Sequence, residues 1–505
     1  MSAKFRIRRK VYLDNNATTM VSSKVRKVMG KTLRRYYGNP SSNYQDAKVA
    51  SSLLESSRKA VAESVGALSD EIIFTSSASE SNNQILFSCI KNAPPGRNVI
   101  VASPIEHSSI LKVLDFLEEN GTVVRYCPVD EEGRIVFDAL SSLVDNSTLL
   151  VCIMYANGET GVIQDIPSIA ELTHQNGAWL MSDCVQALGK IPVNVKEIGV
   201  DFASFSAHKI YGPKGVGATY VRPGLPISPF IHGGHQENGL RGGTESLHNI
   251  AGFAEACRNI PQSLFTAERI RQLRDNLALG IQEIMPSARF NTSLEKQWNL
   301  GNTLSVHFPG FDSTEAIGFL DYYGISVSAG SACNTHSEEP SAVLKAIGLS
   351  DEESHQTLRL SLSDNIPLKH ITYTLSVLRD YLGRKSLPVT MMHPSHLDEN
   401  LLFDENIFII DIRRRLDRKI IKGLPRSHET SFSELRANFN VLPRNKNLLV
   451  VCQFGFDNSI AAYYLRSKGF KSVSFVGGGA IGWKNSQPSL YNKYADIDKQ
   501  PLLKK

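Results

Sequence analysis

Between residues 70 and 220, short apolar runs alternate with stretches of helical periodicity, and no other feature limits the possible folds of this chain so strongly. The runs fall at 71–75, 98–102, 149–154, 178–181 and 201–205. Short strands joined through helices are βα units, and βα units build a mostly parallel sheet. Such a sheet binds ligands beyond the carboxyl ends of its strands. The residues just after each run therefore matter most. They are Ser76-Ser77-Ala78-Ser79, Ser103-Pro104-Ile105-Glu106-His107, Asn157, Asp183 with Gln186, and Ser206-Ala207-His208-Lys209. A sheet that binds nothing gives no reason to gather polar groups along one edge.

A chain of 505 residues exceeds one core and predicts two to four domains. Its formal net charge of +5 is spread along the whole length and implies no nucleic-acid surface. No apolar stretch approaches the ~20 residues of a membrane span. The seven cysteines are scattered and lack CxxC spacing. They read as free thiols in a reducing, cytoplasmic setting, without a disulfide framework or a metal site. Residues 4–10, five of them basic, read as a disordered end rather than a targeting signal. The expected organisation is a first domain over 1–385, with mixed helix and strand from about 255, and a linker over 386–400. A second βα domain over 401–490 and a polar tail over 491–505 complete it.

Each polar group on the predicted edge has a plain explanation and a chemical one. Serines 76, 77 and 79 precede a helix expected near Glu80. They cap it, or they offer its N–H groups and dipole to a phosphate. Ser103 to Glu106 forms a capping box with Pro104 at the first helical position, which leaves His107 without a structural purpose. Asp183 ends an apolar strand, where a buried carboxylate needs a partner; a salt bridge would serve, and so would a protonated pyridine nitrogen. A lone lysine is ordinarily a solvated surface group, but Lys209 ends a run of Phe, Ala and Ser, the setting of a Schiff-base lysine.

These residues lie in strings that resemble the NifS/IscS class of cysteine desulfurases, within the class V aminotransferase superfamily. The strings are YLDNNATT, GNPSS, EIIFTSSASESNN, EHSSIL, ANGETGVIQDI, SDCVQALGKIPV, SFSAHKIYGPKGVGATYV, HGGHQENGLRGGTES and SAGSACNTHSEEPSAVL, in order from Tyr12 to Leu344. The resemblance implies an α/β fold-type I enzyme, with a mostly parallel central sheet plus a small α+β subdomain, that uses pyridoxal 5'-phosphate. It implies that Lys209 bonds the cofactor aldehyde and that His107 stacks on the ring and moves protons. It places Asp183 on the ring nitrogen, Gln186 on the ring hydroxyl, and Ala78, Ser79, Ser206 and His208 on the phosphate. Asn157 would touch cofactor and substrate, Arg359 would clamp the substrate carboxylate, and Thr244 would reach the phosphate of a partner subunit in a homodimer. Departures include Ser77 and Ser79 for the usual Gly and Thr, Gly158 for a second Asn, Cys184-Val185 before Gln186, Ala207 before His208, and Ser363-Asp364 after the clamp.

Cys333 lies among small and polar residues, the wrong place for a buried thiol and the right one for a mobile nucleophile. The resemblance makes it the residue that takes sulfur from L-cysteine as a persulfide and hands it to an iron–sulfur scaffold or a thiolation factor. Residues from about 400 to 488 resemble a rhodanese domain, through IFIIDIR, GLP, LLVVCQFG and GFKSVSFVGGGAIGW. Cys452 would then sit at the start of its active-site loop. Asp457 and Asn458 replace the usual Arg-Ser, which disfavours an anionic sulfur donor and leaves a silent docking domain as the alternative. A selenocysteine lyase or related β-elimination, and a sulfur carrier with weak turnover, are the other readings to be weighed.

Overall fold

In the computed structural model, which describes residues 10–295, 297–329, 341–385, 389–498 and 500–501, the apolar runs form a seven-stranded sheet. In chain order its elements are β1 (Ile72–Thr75), α1 (Ala78–Lys91), β2 (Val99–Ala102), α2 (Ser108–Glu119), β3 (Val123–Tyr126), β4 (Thr148–Cys152), β5 (Trp179–Asp183), β6 (Phe202–Ser206) and β7 (Gly217–Val221). The strand order is β1-β7-β6-β5-β4-β2-β3. Only β7 runs antiparallel to its neighbours. Val99 and Val101 pack into one apolar cluster, Ile100 and Ala102 into another, so alternate residues of one strand enter opposite helix layers. Burial on both faces is why these strands read as unbroken apolar runs rather than as alternating ones.

The same unit, Tyr12–Gly310 with Val327–Ile371, carries a small antiparallel sheet. Its strands are β8 (Arg289–Phe290), β9 (Thr303–His307), β10 (Ser328–Ala329) and β11 (Thr357–Ser361), ordered β10-β11-β9-β8. It places Arg359 of β11 opposite Ser305 and Ser328.

A second unit holds Phe311–Ser326 and the described residues from Thr372 on. Its strands are β12 (Thr390–Met392), β13 (Ile407–Asp411), β14 (His428–Glu429), β15 (Asn447–Val451), β16 (Val473–Val476) and β17 (Gln500–Pro501), with helix α3 (Phe456–Ser467) after β15. The order is β12-β16-β15-β13-β14-β17, and every pair is parallel. This sheet too is buried on both faces: Leu448 and Val450 enter one cluster, Leu449 and Val451 the other.

The structure differs from expectation at three places here. The stretch 386–400, expected as a linker, contains β12, a 3-10 turn at Pro394–His396 and the start of the helix Glu399–Phe403. Residues 389–400 are structured because β12 pairs with β16, and Val389 and Met392 pack half-buried against the two cores. The tail expected over 491–505 continues the helix Pro488–Tyr494, whose Tyr491 ring lies 5.4 Å from that of Trp483, and supplies β17. Residues 313–322 and 372–385, expected with the first domain, pack in the second unit instead. There the helix Ser313–Tyr322 lies against α3, and the Phe311 and Phe319 rings each stand 4.9 Å from Tyr381.

Trp483 is wholly buried beneath Leu449, Val451 and Val476. Trp483→Ala should cost about 3–5 kcal/mol of stability in this unit. Hydrogen exchange of the β15 amides should quicken accordingly, with those of β4 and β5 unchanged.

Candidate active site

The carboxyl edge of the seven-stranded sheet brings the predicted groups together, each through its own strand end. Asp183 is the last residue of β5 and is paired in register with Ser204 of β6. Its carboxylate is 7% exposed. One oxygen accepts from the Val185 N–H at 2.9 Å and the other from Asn82 Nδ2 at 3.3 Å. Among the described residues no lysine or arginine pairs with it, so a buried anion faces the edge without a counter-ion.

His107 does not follow a helix that begins at Pro104, as the capping box predicted. It is itself the N-cap of α2, with Nδ1 accepting from the Ser109 N–H at 3.1 Å, and its ring is exposed. The helix starts late because Glu106 is used elsewhere. Its carboxyl accepts from Ser103 Oγ at 2.6 Å and from the Met154 N–H at 2.8 Å, tying the turn to the end of β4. Burial pushes the Glu106 carboxyl up to about 8.

The turn between β1 and α1 has Ser77 as N-cap, accepting from the Glu80 N–H at 3.2 Å. Gly217 of β7 presses on it: a Cβ there would meet the Ser77 carbonyl carbon at 2.6 Å and the Ala78 nitrogen at 2.8 Å. Gly217 also stands opposite Ser206 in register. The buried Ala78 and Ser206 thus meet across Gly217 at the positive end of a 14-residue helix, with the exposed Ser79 next to Ala78 in the chain and His208 two residues after Ser206. His208 binds Thr18 Oγ1 through Nδ1 at 3.1 Å. Burial, then Lys209 and Lys214, lowers its pKa to about 4, so the ring is neutral. Thr244 is exposed in the loop after Arg241.

Lys209 leaves a 3-10 turn directly after β6 and donates to the carbonyls of Asn16 at 2.6 Å and Ala17 at 3.0 Å. A second lysine stands beside it. Lys190 Nζ donates to Asn16 Oδ1 at 2.9 Å and to Gln186 Oε1, and its pKa falls well below the usual lysine value through burial, then through Lys209 and Arg359. A cavity of about 540 Å3 reaches both lysines, bounded also by Tyr12, Asn15, Tyr211 and Asp364; neither His107 nor Asp183 lines it.

Asn157 and Arg359 both have partners within the chain. Asn157 spends its amide on its own turn, accepting from the Glu159 and Thr160 N–H groups and donating to the Ile105 carbonyl at 3.1 Å. Arg359 is buried and already engaged, with Nη2 on Asp14 at 2.7 Å and Nη1 on the Gly158 carbonyl at 3.2 Å, while its Nε has no partner among the described residues. Gly158 has a steric reason to lack a side chain, since a Cβ would meet Gln186 Nε2 at 2.7 Å. Asn16, Asn82, Ser109 and Lys190 went unremarked in the sequence although all lie in the motif strings. The i, i+4 spacing of Gln186 and Lys190 is the one signal that could have pointed to a contact.

Cys333 lies outside the described residues. Cys452 follows β15 and is 4% exposed, with Sγ accepting from the Gly455 N–H at 3.0 Å. Gly455 has φ 93°, and a Cβ on it would meet the Gly478 nitrogen at 2.6 Å, so only glycine closes this loop. Burial and then Asp457 push the thiol up, opposed by the N–H groups of Asn458, Gly455 and Phe454.

Glu106 should leave a signature in the pH dependence of stability. The folded chain keeps a proton there that the unfolded chain loses near 4.5, so stability should fall as pH rises from about 4.5 to about 8. Glu106→Gln has no such proton, and its stability relative to the parent should rise across that window. Urea titrations at pH 5 and pH 8 measure the difference.

The family described as aminotransferase class-V matches residues 11–371. A protein named cysteine desulfurase IscS from Dictyoglomus turgidum is 38% identical over 373 residues, 74% of this chain and 94% of that protein. A cysteine desulfurase IscS from Methanosarcina thermophila is 38% identical over 354 residues, 70% of this chain and 87% of its own length. Among solved structures, one titled NifS-like protein aligns with a TM-score of 0.70 at 37% identity, covering 74% of this chain and all of its own. A structure titled SspA in complex with cysteine aligns at 0.62 and 32% identity, covering 70% of this chain and 99% of its own.

Proposed function

This chain belongs to the class-V aminotransferases, among their cysteine desulfurases, and on that premise we propose how its residues divide the reaction. The observation that carries the proposal is the buried carboxylate of Asp183, without a counter-ion, one strand away from the lysine that follows β6. Pyridoxal 5'-phosphate fits this edge: a protonated pyridine nitrogen answers Asp183, and a phosphate answers the corner of Ala78, Ser79, Ser206 and His208. When bound, that cofactor supplies an electron sink for bonds at the substrate's Cα and Cβ.

The protein's own groups do the rest. Asp183 would hold the proton on the ring nitrogen, Gln186 would serve the ring hydroxyl, and Lys209 would be the amine for the aldehyde. His107, at the cap of α2, would stack on the ring and move protons. Arg359 grips the carboxylate of L-cysteine with its unpartnered Nε and with Nη2, exchanging Asp14 for the substrate. Asn157 supports this by shaping the turn that presents the Gly158 carbonyl to Arg359. The Cys333 thiolate attacks the substrate sulfur, the carbon–sulfur bond breaks, L-alanine leaves, and Cys333 keeps the sulfur as a persulfide. Thr244, exposed on its loop, completes the phosphate corner of a second copy in a homodimer.

The C-terminal region acts as a rhodanese-like domain. Support comes from an all-parallel sheet with a cysteine after an inner strand, in a loop whose N–H groups point at the sulfur. Cys452, as thiolate, attacks the outer sulfur of the Cys333 persulfide; that sulfur moves to Cys452 and Cys333 leaves as thiolate. The raised pKa of Cys452 makes this transfer faster at alkaline pH. An iron–sulfur scaffold or a thiolation factor receives sulfur from either cysteine.

L-cysteine added to the full chain should place persulfide on Cys333 and Cys452, read by mass spectrometry. Cys333→Ser should abolish both labels and alanine release, and Cys452→Ser should spare Cys333. Alanine release undiminished in Cys333→Ser would overturn the sulfur route. Arg359→Lys, which offers one point charge for a fork, should raise KM for L-cysteine about tenfold or more with a smaller change in kcat, measured by steady-state alanine formation.

A further inference from the structure

Asn82 and Ser109 are buried or half-buried residues of α1 and α2 that join two groups of the edge. Asn82 is fully buried, and its Nδ2 donates to Asp183 Oδ2 at 3.3 Å and to Ser109 Oγ at 2.9 Å. Ser109 Oγ lies 2.7 Å from His107 Nδ1, the nitrogen that also accepts from the Ser109 backbone N–H. A hydrogen-bonded chain therefore runs from Asp183 through Asn82 and Ser109 to His107.

The charge of Asp183 fixes the first link of the chain, and the Ser109 backbone N–H fixes the last. An ionised carboxylate only accepts, so the amide nitrogen of Asn82, not its oxygen, must face Asp183. Asn82 keeps that orientation although its own Oδ1 is buried and has no partner. The same NH2 group then donates to Ser109 Oγ, which leaves the hydroxyl proton free to point at His107 Nδ1. The backbone N–H of Ser109 points there as well and cannot turn away. A proton on Nδ1 would face both donors.

We propose that Asn82 and Ser109 are positioning residues that use the charge of Asp183 to hold His107 as a neutral ring protonated at Nε2. In that form His107 presents a donor at Nε2, and it resists a second proton because that proton must enter at Nδ1. The Glu159 carboxyl interacts with the ring and favours its charged form; the chain of donors opposes it. This concerns the protein's own protons and holds whether or not Cys333 and Cys452 carry sulfur.

Diethylpyrocarbonate labels neutral imidazole, so its rate at His107, followed by peptide mass spectrometry on the full chain with its cofactor, reports the protonation state. A ring with the ordinary pKa of about 6.5 reacts roughly tenfold faster at pH 7.5 than at pH 5.5. The parent protein should show less than about a threefold ratio. Ser109→Ala should move the ratio toward tenfold, Asn82→Leu should move it the same way, and Ser109→Thr should restore the parent value. A residue that merely shapes the turn would change both rates by one factor and leave the ratio alone. A near-tenfold ratio in the parent, or a ratio unmoved in Ser109→Ala, overturns the proposal.

Discussion

A parallel sheet buried on both faces has its ligand-facing edge where the strands end, and the functional groups of this protein follow from that. β2, β4, β5 and β6 all point the same way and all lie between helix layers, so the polar residues that follow them meet at one place. The cost is that Asp183 is buried without a counter-ion among the described residues. The rest of the edge is arranged around that charge: two N–H donors on its oxygens, and two lysines and an arginine within electrostatic reach of one another nearby.

The second unit repeats the design on a smaller scale. Its sheet is again parallel and covered on both sides, and Cys452 again stands at a strand end. The difference is electrostatic. At the first edge helix α1 offers its positive end beside serine hydroxyls. At the second, the loop N–H groups that favour a thiolate are opposed by burial and by Asp457. Asp457 is itself pushed up by burial, eased by Arg414 and aggravated by Asp321 and Asp417. The chemistry of Cys452 is thus poised by neighbours from α3, from the turn after β13 and from the helix Ser313–Tyr322.

Glycines decide how closely the loops of both edges can approach. Gly217 lets β7 lie under the turn at Ser77–Ala78, and Gly455 lets the Cys452 loop lie on Gly478. In each place a single added carbon would push apart the backbone segments that form the corner.

Strand positions and the polar groups after them were legible in the sequence, because a strand buried on both faces must be an apolar run and must stop where polarity resumes. Lys209, Asp183 and His107 were singled out on that ground, Cys452 through the resemblance of its string, and the motif strings named the family. The β12 strand was not legible: an edge strand of three residues between prolines carries too little pattern to distinguish it from a linker. Nor was the late start of α2, since the capping-box pattern at Ser103 is local while the Ser103 N–H and the Glu106 carboxyl are taken up by the end of a strand that the sheet brings alongside. The partners of Arg359, the full use of the Asn157 amide, the pairing of Lys190 with Gln186 and the path from Asp183 to His107 exist only in three dimensions. They join residues up to 345 positions apart, and hydrogen bonds of that span leave no periodicity in a sequence.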